Sequence, residues 1–172
     1  MNKQALQIAI DNLSILMVYL YSSEVKTQNG FDPLIPNQEL IAQYNILTKS
    51  CYAKEFQDET AIKRTTLVYQ TEARMRYIKG PISEEIKQSA DNDKFLDERV
   101  VAEITAVFVS EYLINGEDEL PQDAVLEFGR LNVPHQIWPY WREYCQSTCA
   151  RMALPVSILP MFVINKSIDA ER

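Results

Sequence analysis

Apolar positions in the first thirteen residues recur at Leu6, Ala9, Ile10 and Leu13, with Gln7 and Asp11 between them, a spacing that predicts a short amphipathic helix. From Ser14 to about Lys26 the run Ile15-Leu16-Met17-Val18-Tyr19-Leu20-Tyr21 is apolar on both alternating faces and predicts a strand buried on both sides. Gln28-Asn29-Gly30-Phe31-Asp32-Pro33 is a turn, and Pro33 and Pro36 keep the chain irregular to about Gln43. Tyr44, Ile46, Thr48, Ser50 and Tyr52 then alternate with Asn45, Lys49 and Ala53, as a second strand does. In the third, Leu67, Tyr69, Thr71, Ala73, Met75 and Tyr77 take one face. Thr66, Gln70, Glu72, Arg74 and Arg76 take the other, which reads as the wet side.

Gly80-Pro81 ends that strand, and the polar stretch from Ile82 to Glu98 reads as an exposed loop, with a helical turn at Ser83 to Gln88. A fourth strand, Val100 to Ile114, is mainly apolar on both faces, and Asn115-Gly116-Glu117-Asp118-Glu119 is an acidic turn. After Pro121 the period changes. Ala124, Val125, Phe128 and Leu131 predict one helix, and Pro139 opens a second that carries Tyr140, Trp141, Tyr144, Cys145, Thr148, Cys149 and Met152 as an apolar stripe. The tail from Leu154 to Ile164 is apolar but spaced by Pro155 and Pro160, so it is expected to lie extended.

The pattern defines an α+β chain: a four-stranded antiparallel sheet with a long C-terminal helix on one face, in a single domain over residues 1–172. Residues 1–13 form an N-terminal helical extension and 161–172 a short tail. Helices on one face leave Leu16, Val18, Leu20, Val101, Val107 and Val109 to be covered on the other, either by a second copy through a two-fold contact or by the chain's own termini. A net charge of −7 repels phosphate backbones, so nucleic acid and anionic membrane are poor partners. Cys51, Cys145 and Cys149 form an odd, sparse set, and no apolar run is long enough for a span or a secretory leader. Reduced thiols in the cytoplasm are therefore expected.

Trp138-Pro139-Tyr140-Trp141-Arg142-Glu143, followed by Arg151, Leu154-Pro155 and Ile158-Leu159-Pro160, resembles the C-terminal signature of the SecB export chaperones. The order of four strands then helix is similar to that family from about Ile15 to Pro160. The resemblance implies ATP-independent binding of unfolded or precursor polypeptide in apolar grooves, a homotetramer built as a dimer of dimers, and delivery of clients to the motor SecA. Of the acidic positions that serve the motor, only Glu103 is matched. Arg151-Met152 in place of Arg-Gly, a reduced C-terminal helix and the leading helix are more similar to the divergent branch associated with toxin–antitoxin systems, whose client is an antitoxin.

Large adaptable side chains suit a promiscuous groove, and Trp138, Tyr140, Trp141, Leu154, Ile158, Met161 and Phe162 are the client-contact candidates; core or subunit interface is their other reading. Leu16, Val18, Leu20, Val107, Arg142 and Tyr144 are the oligomer-contact candidates. Glu103 is either a motor contact or a cross-strand partner of Arg74 or Arg76. His135 is the sole histidine, which removes most acid–base schemes. With four glycines there is no phosphate-cradling loop, so no cofactor, metal or catalysis is expected. A Cys145 or Cys149 nucleophile and a scaffold that has lost client binding are the competing readings.

Overall fold

A computed structural model of the chain describes residues 2–57, 63–80, 96–116, 120–155, 159 and 162. Its elements run α1 (Lys3–Asn12), β1 (Leu13–Thr27), β2 (Leu40–Gln57), β3 (Lys63–Lys79), β4 (Val100–Ile114) and α2 (Gln122–Arg151). The Ser83 to Gln88 turn, the acidic residues 117–119 and most of the tail fall outside the described residues. Asn2 caps α1 by accepting the Ala5 N–H at 3.1 Å, and Ala5 and Ala9 are the buried face that lets the helix sit close to its neighbours.

All strands pair antiparallel in the order β1-β4-β3-β2, so β4 and β3 are central while β1 and β2 are edges. Within the single chain, β1 is therefore not buried on both sides as its apolar run leads one to expect. Tyr21 is 65% exposed and Met17 50%, because α2 packs on β4, β3 and β2 and leaves this edge strand uncovered. Register also divides the residues expected on the uncovered face. Bulges between Ile15 and Met17 and between Leu20 and Ser22 place Val18 opposite Ser110 and Leu20 opposite Phe108, on the helix side. Val107 and Val109 face the opposite way, opposite Glu72 and Gln70. A bulge between Thr48 and Ser50 likewise turns Ser50 and Tyr52 away from Tyr44, Ile46 and Thr48, although a strict two-residue period had put them together.

The face away from α2 is neither bare nor simply wet. Val68 and Val109 are buried on it, and long charged side chains lie over it: Lys49 pairs with Glu72 at 3.2 Å, Lys54 with Glu111 at 3.8 Å and Arg74 with Glu103 at 3.7 Å. Arg76, expected on the wet side, is itself buried. Its guanidinium reaches Asp97 and donates from Nε to Gln43 at 3.1 Å.

Where two helices were expected, α2 is one helix with Pro134 and Pro139 inside it. Each proline costs about 3 kcal/mol in a helix interior. Burial of Phe128, Leu131, Val133, Ile137, Trp138 and Trp141 against the sheet contributes about 2 kcal/mol apiece, which outweighs the cost. The helix stops in a Schellman turn, with the Leu154 N–H donating to the Cys149 carbonyl at 3.0 Å and that of Ala153 to Ala150 at 3.5 Å. Ala153 takes the left-handed conformation there, at φ 55°. Buried Leu154 and the Tyr77 hydroxyl, which donates to the Pro155 carbonyl, tie the turn to the core.

Candidate functional site: a cleft between β2 and α2

α2 packs across β4, β3 and β2, and a gap remains beside it along the last strand. The result is a cleft of about 620 Å³ lined from β2 by the unbroken stretch from Ile46 to Ala53, from β3 by Leu67 and Tyr69, and from α2 by Gln122, Val125, Leu126, Gly129, Arg130 and Pro134. Leu126 is 64% exposed and Leu47 52%, an amount of uncovered apolar surface that a purely structural seam does not need.

Gly129 fixes how near the helix comes. A Cβ there would lie 2.8 Å from Cε1 of Tyr69, so only glycine permits this approach. Thr48 Oγ1 donates to the Gly129 carbonyl at 2.6 Å, and the Tyr69 hydroxyl donates to the Val125 carbonyl at 3.0 Å, pinning β2 and β3 to the same turn of helix. Tyr69 also meets Tyr112 edge-on at 5.6 Å, and Tyr112 donates to Gln136. Burial pushes both phenols up, Tyr112 to about 12, so they act as neutral donors. Burial likewise raises the thiol of Cys51, which lines the cleft.

One pleat further along β2 and one turn further along α2 from the Ile46 and Pro134 walls, Tyr44 meets Trp138 edge-on at 5.7 Å. Phe162 leans on Trp138 at 5.3 Å and on His135 at 5.8 Å. Tyr44 is 45% exposed, so this aromatic group continues the apolar surface at the end of the cleft. Behind α1, the Asn2 N–H donates to Glu127 Oε1 at 3.0 Å, and Glu127 pairs with Arg130 at 2.8 Å. Burial pushes the Glu127 carboxyl up, but these donors outweigh it and hold the carboxyl below its usual range. The N-terminal helix is thus joined through Glu127 to a residue of the cleft wall.

The residues singled out from sequence fall into distinct places. Trp138 and half-buried Phe162 stand together at the aromatic end, and Tyr140 is 50% exposed on α2. Trp141 and Leu154 are enclosed by the chain's own core, where they hold α2 instead of lining the cleft. Ile158 and Met161 lie outside the described residues. Leu16, at a bulge, and Leu20 are exposed on β1. Val18 and Val107 are half-buried on opposite faces, and Arg142 and Tyr144 are half-buried on α2. The Glu103 carboxylate pairs across strands with Arg74. Cys145 and Cys149 are buried, and burial raises the Cys145 thiol above its usual range, the opposite of an activated nucleophile. Among the described residues no group of three or more His, Cys, Asp and Glu is gathered closely enough to hold a metal ion, and no helix is long and apolar enough to cross a membrane.

Sequence reasoning missed the cleft itself. Its β2 wall reads as an ordinary strand and Leu126 falls outside the apolar period of the helix; the one available signal is Gly129, a glycine inside a helical period.

The arrangement of sheet, crossing helix and leading helix is the SecB-like fold. It matches a SecB-like chaperone of Mycobacterium tuberculosis, solved in complex with a ChAD peptide from the HigA1 antitoxin, with a TM-score of 0.66 over 94% of this chain and 99% of that one. The two sequences are 15% identical, so the likeness is one of fold. No protein-family model and no curated protein matches the chain.

Proposed function

We propose that this chain is a chaperone that holds non-native polypeptide, without nucleotide, in the cleft between β2 and α2. The observation that carries the reading is an apolar cleft left open at a sheet edge, with Gly129 and Tyr69 setting its depth. It is supported by the shared fold with a chaperone solved with an antitoxin peptide, and an antitoxin segment is the client class we favour. Phe162 and Tyr44, resting on buried Trp138, supply the aromatic end of the client surface, and Ile158 and Met161 are assigned to the same surface from the sequence.

The chain acts as a homo-oligomer in this reading, through β1. Ile15, Leu16, Met17, Leu20 and Tyr21 are each more than 40% exposed on a fifteen-residue edge strand, a hazard that pairing with another copy removes. Solution mass checks this: a species of one chain at micromolar concentration counts against it.

Cys51 offers a direct test of the client site, since it is the exposed thiol of three and lines the cleft. A reduced, carboxymethylated protein that cannot refold is expected to slow maleimide labelling of Cys51 several-fold. An unchanged labelling rate at saturating client removes the cleft from the mechanism.

A further inference from the structure

Eight consecutive residues of β2, Ile46 to Ala53, line the cleft. A strand presents alternate side chains to opposite faces, so a wall built from eight in a row cannot be a side-chain surface alone. It is the edge of the strand, with its outward-pointing main-chain N–H and C=O groups. β2 is the last strand in the order β1-β4-β3-β2 and pairs only with β3, so among the described residues that edge carries no further strand.

We infer that the client enters as a fifth strand. An extended segment pairs its main chain with the free edge of β2 and directs every second side chain under α2, against Leu67, Val125 and Leu126. This rests on the chaperone reading above and specifies its binding mode. The wall spans about 26 Å at strand spacing, room for about eight residues of client. Thr48 spends its hydroxyl on Gly129 and so holds the helix rather than a client. Main-chain pairing is indifferent to sequence, which suits varied clients.

The occupant is an extended segment that alternates apolar residues with polar ones; the charged residues lining the cleft, Lys49 and Arg130, are already paired with Glu72 and Glu127, so charge does little to choose among clients.

The test uses the full-length protein and a peptide of about ten residues that alternates leucine with aspartate and serine. N-methylation at one alternating set of amides removes the donors that would face β2, whereas the other set points to solvent. Methylating the facing set is expected to weaken binding about tenfold per methyl and methylating the other set to change it little. Hydrogen exchange at the outward-facing amides of Ile46 to Ala53, on either side of the bulge at Lys49, is expected to slow on binding of the parent peptide. Equal effects of the two methylated sets, or no slowing along β2, overturns strand addition while leaving the chaperone reading intact. A parent peptide that does not bind at all counts against the chaperone reading as well.

Discussion

Replacing Gly129 with alanine sets two effects of known size against each other. In a helix interior, alanine is favoured over glycine by about 1 kcal/mol. Here the new methyl would meet Tyr69 at 2.8 Å from Cε1 and 3.2 Å from Cδ1, and Thr48 Cγ2 at 3.8 Å. The Tyr69 ring has little freedom to yield, since it is 1% exposed, fixed by its hydroxyl to the Val125 carbonyl and flanked by Tyr112 and Phe128. Overpacking at such a site costs about 1–3 kcal/mol, so Gly129→Ala is expected to destabilise by about 1 kcal/mol net, or about 3 °C in Tm for a chain of this size. Urea unfolding measures it, and a cycle with Tyr69→Leu isolates the contact, with a coupling of about 1–2 kcal/mol expected. Client affinity should fall with stability, because the helix must lift where it sets the cleft's depth. A variant about 1 kcal/mol more stable than the parent, as at an ordinary exposed helical glycine, refutes the close approach and the cleft geometry built on it.

Leu126→Asp should leave stability within about 0.5 kcal/mol, since the side chain is 64% exposed, while lowering affinity for an unfolded client; loss of stability without loss of binding contradicts the site. Ala153→Gly should stabilise by about 0.5–1 kcal/mol in urea unfolding, because the left-handed C′ position costs an alanine more than it costs a glycine. Glu127 has its carboxyl held below the ordinary 4.5, so the stability it contributes is present above that value and is lost as pH falls through the lower folded-state pKa. Glu127→Gln should flatten that acid limb, and α1 amides should lose exchange protection even at neutral pH; an unaltered limb places the shift elsewhere. Cys145 and Cys149 should label only on global unfolding, tracked by mass spectrometry across a urea series.

The sequence by itself determined the element order and the chemistry. Period-two alternation from Leu67 to Tyr77 and the apolar run from Val100 to Ile114 marked these two segments as strands, because alternate side chains of a strand meet different surroundings and carry that in the sequence. The signature from Trp138 to Leu154-Pro155 pointed to the fold that the structure has. The tertiary structure alone decided which strands are edges, and so left β1 uncovered within the chain despite its apolar run. It also placed the three bulges of β1 and β2 that move Ser50 and Tyr52 away from Ile46 and part Val18 and Leu20 from Val107, each a one-residue insertion that no local propensity marks. The continuity of α2 through Pro134 and Pro139 was decided the same way, by burial against a sheet distant in the chain. The cleft depends on all three. It exists where an edge, a bulged register and a helix held close by Gly129 meet, and contacts between residues as far apart as Thr48 and Gly129 are a property of packing that local sequence does not encode.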